Sequence, residues 1–284
     1  MFLQESQSRS ALYDPDLRTS GGTIMKEGYV LITGASEGLG QEFAKLFARN
    51  HYPLVLVARN KTRLDALAEE LISTYHVDVR TISKDLSLST AAEELKTAVE
   101  DQKIAVEILV NNAGFGIHEL FHHSDWSATE AMLNLNMITL THLTRLFLPE
   151  MIRRSHGKIL NVASTAAFQP GPLMACYFAS KAYVLSFTEA LAEELRGTGV
   201  TVTAFCPGPT RTQFQKRANT ENIRENSFSM EAAPAAEAAY RGLMKSKRLV
   251  IPGFTNKLLA ALARLFPRPI VIRITRFLEE NRAP

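Results

Sequence analysis

From Gly28 onward the chain alternates short apolar runs with helical patterns, and nothing else in the sequence limits its fold so tightly. The runs GYVLITG, PLVLVAR, VDVRTISKDL, VEILVNNAG, GKILNVAS and VTVTAFCPG are rich in Val, Ile and Leu and end in small or turn-forming residues. A strand with one wet face alternates apolar and polar side chains. A strand covered on both faces is apolar nearly throughout, so these runs predict a parallel sheet sandwiched between helices. Helical patterns over 39–50, 62–75, 89–102, 127–154 and 177–197 separate the runs, and one around 232–244 precedes a seventh strand, RLVIPG. Repeated strand–helix units require right-handed crossovers. The expected fold is therefore α/β, a doubly wound parallel sheet of about seven strands with helices on both faces. Ligands of such sheets bind beyond the carboxyl ends of the strands.

At 284 residues, 46% hydrophobic, the chain is long enough to bury that core, and no linker divides its body. The reading is one domain over 26–254, a polar mobile extension over 1–25, and an amphipathic extension over 255–284. The net charge of +3 is interspersed rather than blocked, so no nucleic-acid partner is expected. His122 and His123 stand together, but no His/Cys spacing matches a metal site, and no metal is expected. Cys176 and Cys206 form no disulfide framework, as in a reducing compartment. No apolar segment follows a basic start, and no run reaches the roughly 18 apolar residues that span a bilayer. A cytoplasmic location is expected.

The chemistry begins where the first run ends. GYVLIT leads into TGASEGLG, with Gly34, Gly38 and Gly40 ahead of a helical pattern. Glycines permit a tight turn and let backbone approach a pyrophosphate, while a helix N-terminus presents N–H donors and a positive dipole end. The TGxxxGxG spacing resembles that of the short-chain dehydrogenase/reductase family. Further stretches carry the resemblance: NNAG at 111–114, Asn136 within LNLNMITLTHLT, Ser164 closing NVAS, YFASK at 177–181 and PGPTRT at 207–212. Ser164 precedes Tyr177 by thirteen residues, that family's usual interval. The likeness runs over about residues 28–252 and is nearest a bacterial branch close to the long-chain 3-oxoacyl and 17β-hydroxysteroid reductases. It implies a Rossmann-type single domain, hydride transfer between a nicotinamide and a carbonyl or secondary alcohol, and a homodimer or homotetramer.

By the same resemblance the cofactor contacts are Gly34, Ser36, Gly38, Leu39 and Gly40 in the first turn, with Asp85 and Leu86 after the third strand. Asn112, Ala113 and Gly114 follow the fourth strand, Pro207, Gly208 and Thr210 follow the sixth, and Tyr177 and Lys181 complete the set. Which nicotinamide binds is read at the end of the second strand. An NAD enzyme places an acid there to hold both ribose hydroxyls, whereas this chain has Ala58 and then Arg59. A guanidinium binds a 2′-phosphate that a carboxylate would repel, so NADP(H) is expected over NAD(H). Glu37 weighs the other way, because related NADP enzymes often carry a basic residue there.

Tyr177 and Lys181 stand four residues apart, on one helical face. A cation near the ring favours phenolate, and moving a phenol from about 10 to about 7 takes roughly 4 kcal/mol. The resemblance assigns proton transfer to Tyr177, a hydrogen bond to the same oxygen to Ser164, the ribose hydroxyls to Lys181 and a relay water to Asn136. Phe115, Ser164, Phe168, Leu173, Met174 and Phe214 would surround a hydrophobic acyl, steroid-like or ketone substrate, under a lid at about 210–230. Two other readings of the scaffold are an NADP-binding redox sensor without turnover and an epimerase or dehydratase.

In the tail, Leu258, Leu259, Leu262, Leu265 and Phe266 form an apolar stripe stopped by Pro267, among Lys257, Arg264, Arg268, Arg273, Arg276 and Arg282. The stripe packs on the domain or a second subunit, or it lies on an anionic membrane surface and makes the protein peripheral to the membrane.

Overall fold

The structure, a computed structural model, describes residues 17–20, 23–26, 28–218, 220 and 229–280. Strands β1 (Leu17–Ser20) and β2 (Thr23–Lys26) pair antiparallel ahead of the body; the rest of the expected extension over 1–25 lies outside the described residues. The sheet then begins with β3 (Tyr29–Thr33), β4 (Leu54–Ala58), β5 (Val79–Ser83), β6 (Val106–Asn111), β7 (Gly157–Val162) and β8 (Val200–Phe205). The two-residue strands β9 (Thr210–Arg211) and β10 (Met230–Glu231) pair with each other, and β11 (Leu249–Val250) completes the sheet. The order is β11-β8-β7-β6-β3-β4-β5 with every neighbouring pair parallel. The chain starts mid-sheet, runs out to β5, then returns to β6 and runs out the other way. Its winding thus reverses between β3 and β6, where a crevice opens at the carboxyl ends.

The helices are α1 (Gly38–Arg49), α2 (Lys61–Tyr75), α3 (Ala91–Asp101), α4 (Trp126–Leu133), α5 (Leu140–Arg153) and α6 (Ala175–Glu194), followed by α7 (Gln213–Arg217), α8 (Ala232–Met244), α9 (Phe254–Leu265) and α10 (Arg268–Glu279). Val30 and Ile32 enter a core with Phe43, Phe47, Leu64 and Leu243 of α1, α2 and α8. Leu31, between them, enters the opposite core with Leu95, Phe147 and Leu191 of α3, α5 and α6. Successive residues of each central strand therefore serve different cores, which is why the runs show no polar alternation.

Two elements differ from expectation. The helix expected over 127–154 is interrupted by a π-helical turn, Asn134–Thr139, between α4 and α5. The tail does not end its helical structure at Pro267. That residue caps α10, and Pro269 sits in the new helix's first turn, where a missing N–H forfeits no intrahelical bond.

Gly40 faces back onto the turn that precedes its helix. A Cβ there would stand 2.1 Å from the Gly34 carbonyl oxygen and 2.7 Å from Asn112 Nδ2, so α1 would have to shift away from β3. Gly40→Ala is expected to destabilise the protein by roughly 1–3 kcal/mol, read as a lower midpoint of urea unfolding. An unchanged midpoint would contradict this packing.

Candidate active site

A cavity of about 430 Å³ opens along the carboxyl edge of the sheet. Its first wall is the turn after β3, where Gly34 and Gly38 take φ of +67° and +56°, a left-handed region that glycine enters freely. Ser36 and Leu39 line the same wall, and Glu37, at the N-cap of α1, makes no side-chain cap hydrogen bond. Gly40 is not a wall residue; its role is the close approach of α1 to the turn. Thr33 and Asn112 lock this turn to the end of β6. Thr33 Oγ1 accepts from the backbone N–H of Asn112 and Ala113 at 2.9 and 3.0 Å, and Asn112 Nδ2 donates to the Thr33 carbonyl at 2.8 Å. Ala113, Gly114 and Phe115 continue the wall past β6, and Pro207, Gly208 and Thr210 continue it past β8.

At one end, Arg59 and Asp85 lie on the wall with Arg59 Nη1 3.8 Å from Asp85 Oδ2, and Leu86 lies beside them. Partial burial pushes the Asp85 carboxyl up. Hydrogen bonds from Ser87 and the Arg59 charge outweigh that and hold it below the usual carboxylate range. Glu37 sits between two further guanidiniums, Arg63 at 2.7 Å and Arg217 at 2.5 Å. Neither arginine was anticipated: Arg63 is one turn into α2 and Arg217 comes from α7, far away in sequence. Their pairing answers the charge of Glu37, the residue that argued against a 2′-phosphate.

At the other end, Ser164, Tyr177 and Lys181 share the wall. Ser164 follows β7 and caps a short 3₁₀ turn, its Oγ accepting from Ala166 N at 3.1 Å and donating to the Pro207 carbonyl at 3.4 Å. Tyr177 and Lys181 occupy the first turns of α6, with Lys181 Nζ 5.8 Å from the Tyr177 ring centroid. The Tyr177 ring packs on Phe178 and Phe214 at centroid distances of 6.1 and 5.4 Å. Lys181 is 5% exposed and donates to the Val162 carbonyl at 2.9 Å. Burial lowers its ammonium from the ordinary 10.5 to about 8. Cys206, also buried, has its thiol pushed up to about 12 by burial and is no nucleophile.

Asn136 stands behind this wall, in the π-helical turn. Its amide donates to the Phe115 carbonyl at 2.9 Å and to Ser180 Oγ at 3.1 Å, and its Oδ1 accepts from Phe115 N at 3.2 Å. Among the proposed pocket residues, Phe115, Ser164, Met174 and Phe214 line the cavity. Phe168 and Leu173 do not. The Phe168 ring packs under the Arg264 guanidinium at 4.9 Å, and Leu173, at φ +71°, directs its carbonyl to Glu119 N at 2.7 Å. Glu279 of α10 lines the cavity instead, a contribution from the tail that no local pattern announced. Of the expected lid, Thr212, Phe214, Gln215 and Arg217 also line it, while 219 and 221–228 lie outside the described residues.

The cavity thus pairs a glycine turn and helix N-terminus at one end with a tyrosine, a serine and a buried ammonium at the other. The family model for short chain dehydrogenases matches residues 28–223. The chain belongs to the short-chain dehydrogenase family. That family is one of oxidoreductases. Within it, the chain is 32% identical over 192 residues to the human very-long-chain 3-oxoacyl-CoA reductase, a match covering 66% of this chain and 61% of that protein. Among solved structures it is similar to a Sphingobium yanoikuyae short-chain dehydrogenase in complex with NADPH, at 33% identity and a TM-score of 0.75, covering 84% of this chain and 94% of the other. It is also similar to the bulky-bulky ketone specific alcohol dehydrogenase of Comamonas testosteroni, at 30% identity and a TM-score of 0.71, covering 84% and 93%.

Burial of Lys181 has a stability signature. With a folded pKa of about 8 against an ordinary 10.5, the folded protein holds fewer protons than the unfolded chain between those values. The destabilisation is thus complete below pH 8 and fades as pH rises toward 10.5. Lys181→Met is expected to raise unfolding stability at pH 7 by on the order of 2 kcal/mol, a gain that shrinks by pH 10. A variant less stable than wild type at pH 7 would contradict the desolvated ammonium.

Proposed function

We propose that this protein is an NADP(H)-dependent oxidoreductase acting on a carbonyl or secondary alcohol of a bulky, apolar substrate. The observation that carries this reading is the buried Lys181 ammonium beside Tyr177, on the wall of a cavity that extends to the glycine turn and Arg59. The residues present fit a dinucleotide. Gly34 and Gly38, at φ of +67° and +56°, present bare backbone on the cavity wall ahead of the N-terminus of α1.

When bound, the nicotinamide exchanges hydride with the substrate carbon. Tyr177 gives its hydroxyl proton to the carbonyl oxygen in reduction and takes it back in oxidation. Ser164 Oγ donates to the same oxygen and holds it in line. Lys181, charged below about pH 8, stabilises phenolate at Tyr177 and binds the ribose hydroxyls. Asn136 orders a relay water behind Lys181. Arg59 would hold the 2′-phosphate, and Arg217, on the cavity wall and held by Glu37, would add a second guanidinium.

The substrate class is supported by Phe115, Met174, Phe178 and Phe214 on the wall. The relatives agree in kind: one is named for very-long-chain 3-oxoacyl-CoA, another for bulky ketones, and a third structure holds NADPH. A redox sensor without turnover has no need of a stability-lowering ammonium beside a tyrosine, which favours catalysis. A cytoplasmic site of action and a homodimer or homotetramer belong to the same proposal.

NADPH consumption against a panel of 3-oxoacyl thioesters, ketosteroids and bulky ketones tests the reading. Tyr177→Phe is expected to lower kcat roughly 10²- to 10⁴-fold with the NADPH Kd nearly unchanged; a variant with near wild-type turnover would remove Tyr177 from the reaction. Arg59→Ala is expected to raise the NADPH Kd about tenfold and leave that for NADH nearly unaltered. Equal catalytic efficiency with NADH and NADPH in the wild type would overturn the cofactor reading.

A further inference from the structure

Several large apolar side chains of the tail face away from the body. On α9 the residue buried against the domain is the small Ala260, while Phe254 and Leu265, on the far side of the helix, are 81% and 79% exposed and Leu258 between them is half exposed. On α10 the buried row is Val271, Thr275 and Glu279, spaced by four. Ile270 and Ile274, spaced by four on another side, are about half exposed, as is Phe266 at the corner between the helices. A helix that only covers its own domain turns its large apolar residues inward. α9 and α10 keep these side chains outward, as exposed apolar surface.

The charge around that surface is one-sided. Lys257, Arg268, Arg273 and Arg276 stand on the two helices, with Arg264 turned over the Phe168 ring, against a buried Glu279 and a Glu280 that pairs with Arg276 at 3.1 Å. We propose that α9 and α10 dock together on an anionic lipid bilayer. Phe254, Leu258, Leu265, Phe266, Ile270 and Ile274 enter the acyl boundary, and Lys257, Arg268 and Arg273 meet the headgroups. Among the described residues no helix is long and apolar enough to cross a membrane, and the contact proposed is with its surface. The competing occupant is a second copy of this chain. A two-fold contact through this face would set its own arginines against the same arginines, which the anionic surface does not.

A different side of α10 reaches the cavity. Glu279, on the buried row of α10, lines the cavity, and its carbonyl oxygen accepts from His118 Nε2 at 2.7 Å. One helix therefore has a proposed lipid side and a cavity side. The docking itself is independent of the reaction proposed above.

The test is co-sedimentation of the full chain with vesicles of phosphatidylcholine alone and of phosphatidylcholine with phosphatidylglycerol. The wild type is expected to pellet with the anionic vesicles and to be released by salt. Lys257→Gln, Arg268→Gln and Arg273→Gln together are expected to lower the partition coefficient roughly hundredfold. Phe254→Ser, Leu265→Ser and Ile274→Ser together are expected to abolish pelleting, with the urea midpoint of both variants at the wild-type value. The proposal is overturned if the wild type stays in the supernatant, pellets equally with both vesicles, or pellets no better than the variants. It is also overturned if light scattering shows an oligomer that the apolar changes split, because a second copy then covers the face.

Discussion

Lys181 carries an ammonium into a place that solvent barely reaches, and the Val162 carbonyl takes its hydrogen bond there at 2.9 Å. Everything near it is arranged around that charge. The carbonyl comes from the last residue of β7, so the strand must end where the first turns of α6 pass over it. A Cβ on Gly114 would lie 2.9 Å from Asn136 Oδ1 and 3.5 Å from Lys181 Nζ, so the bare backbone of that glycine separates the two side chains. Where water is excluded, a charge acts more strongly on its neighbours than at a surface, and the neighbour here is the Tyr177 ring. The same exclusion destabilises the fold at neutral pH. In the function proposed above, a lysine kept there against stability serves a reactive tyrosine, a need that a purely structural helix does not have.

The strand ends around this charge are held by buried amides. Asn111 donates to Asn161 at 2.9 Å and to Thr144 at 3.1 Å, and Asn161 donates to Thr188 at 3.0 Å. These bonds cross from β6 to β7 and reach α5 and α6, the helices that flank the site. Buried polar chains of this kind resist slippage because each broken bond strands a desolvated group. The first asparagine of NNAG thus positions the sheet, while the second, Asn112, ties the glycine turn to β6. The motif's two halves together hold the glycine turn, the strand ends and the flanking helices to one another.

Much of this was legible in the chain. The central strands were visible because β3, β4 and β6 feed two cores from adjacent residues, which leaves an unmistakable apolar run. Gly34 and Gly38 were visible because their positive φ excludes most other residues, and Tyr177 with Lys181 because helical spacing alone places them together. The π-helical turn at Asn134–Thr139 left no trace, since its residues continue an ordinary helical pattern and only packing selects the wider turn. Phe168 and Leu173 were misplaced because apolar character does not say which side of a loop faces a cavity. Glu279 and Arg217 reach the cavity from distant elements, and no local pattern records such an approach. The second tail helix was hidden by Pro267, which read as the end of the stripe although it caps a new helix whose first turn tolerates Pro269.

The state of the Lys181 ammonium is open to direct observation by carbon NMR of protein labelled at lysine Cε, with the Lys181 signal assigned by its loss in Lys181→Met. In the protein without nucleotide, burial predicts a titration midpoint at about 8. A midpoint at the ordinary lysine value near 10.5 would show a solvated amine and contradict the buried charge on which the site is built.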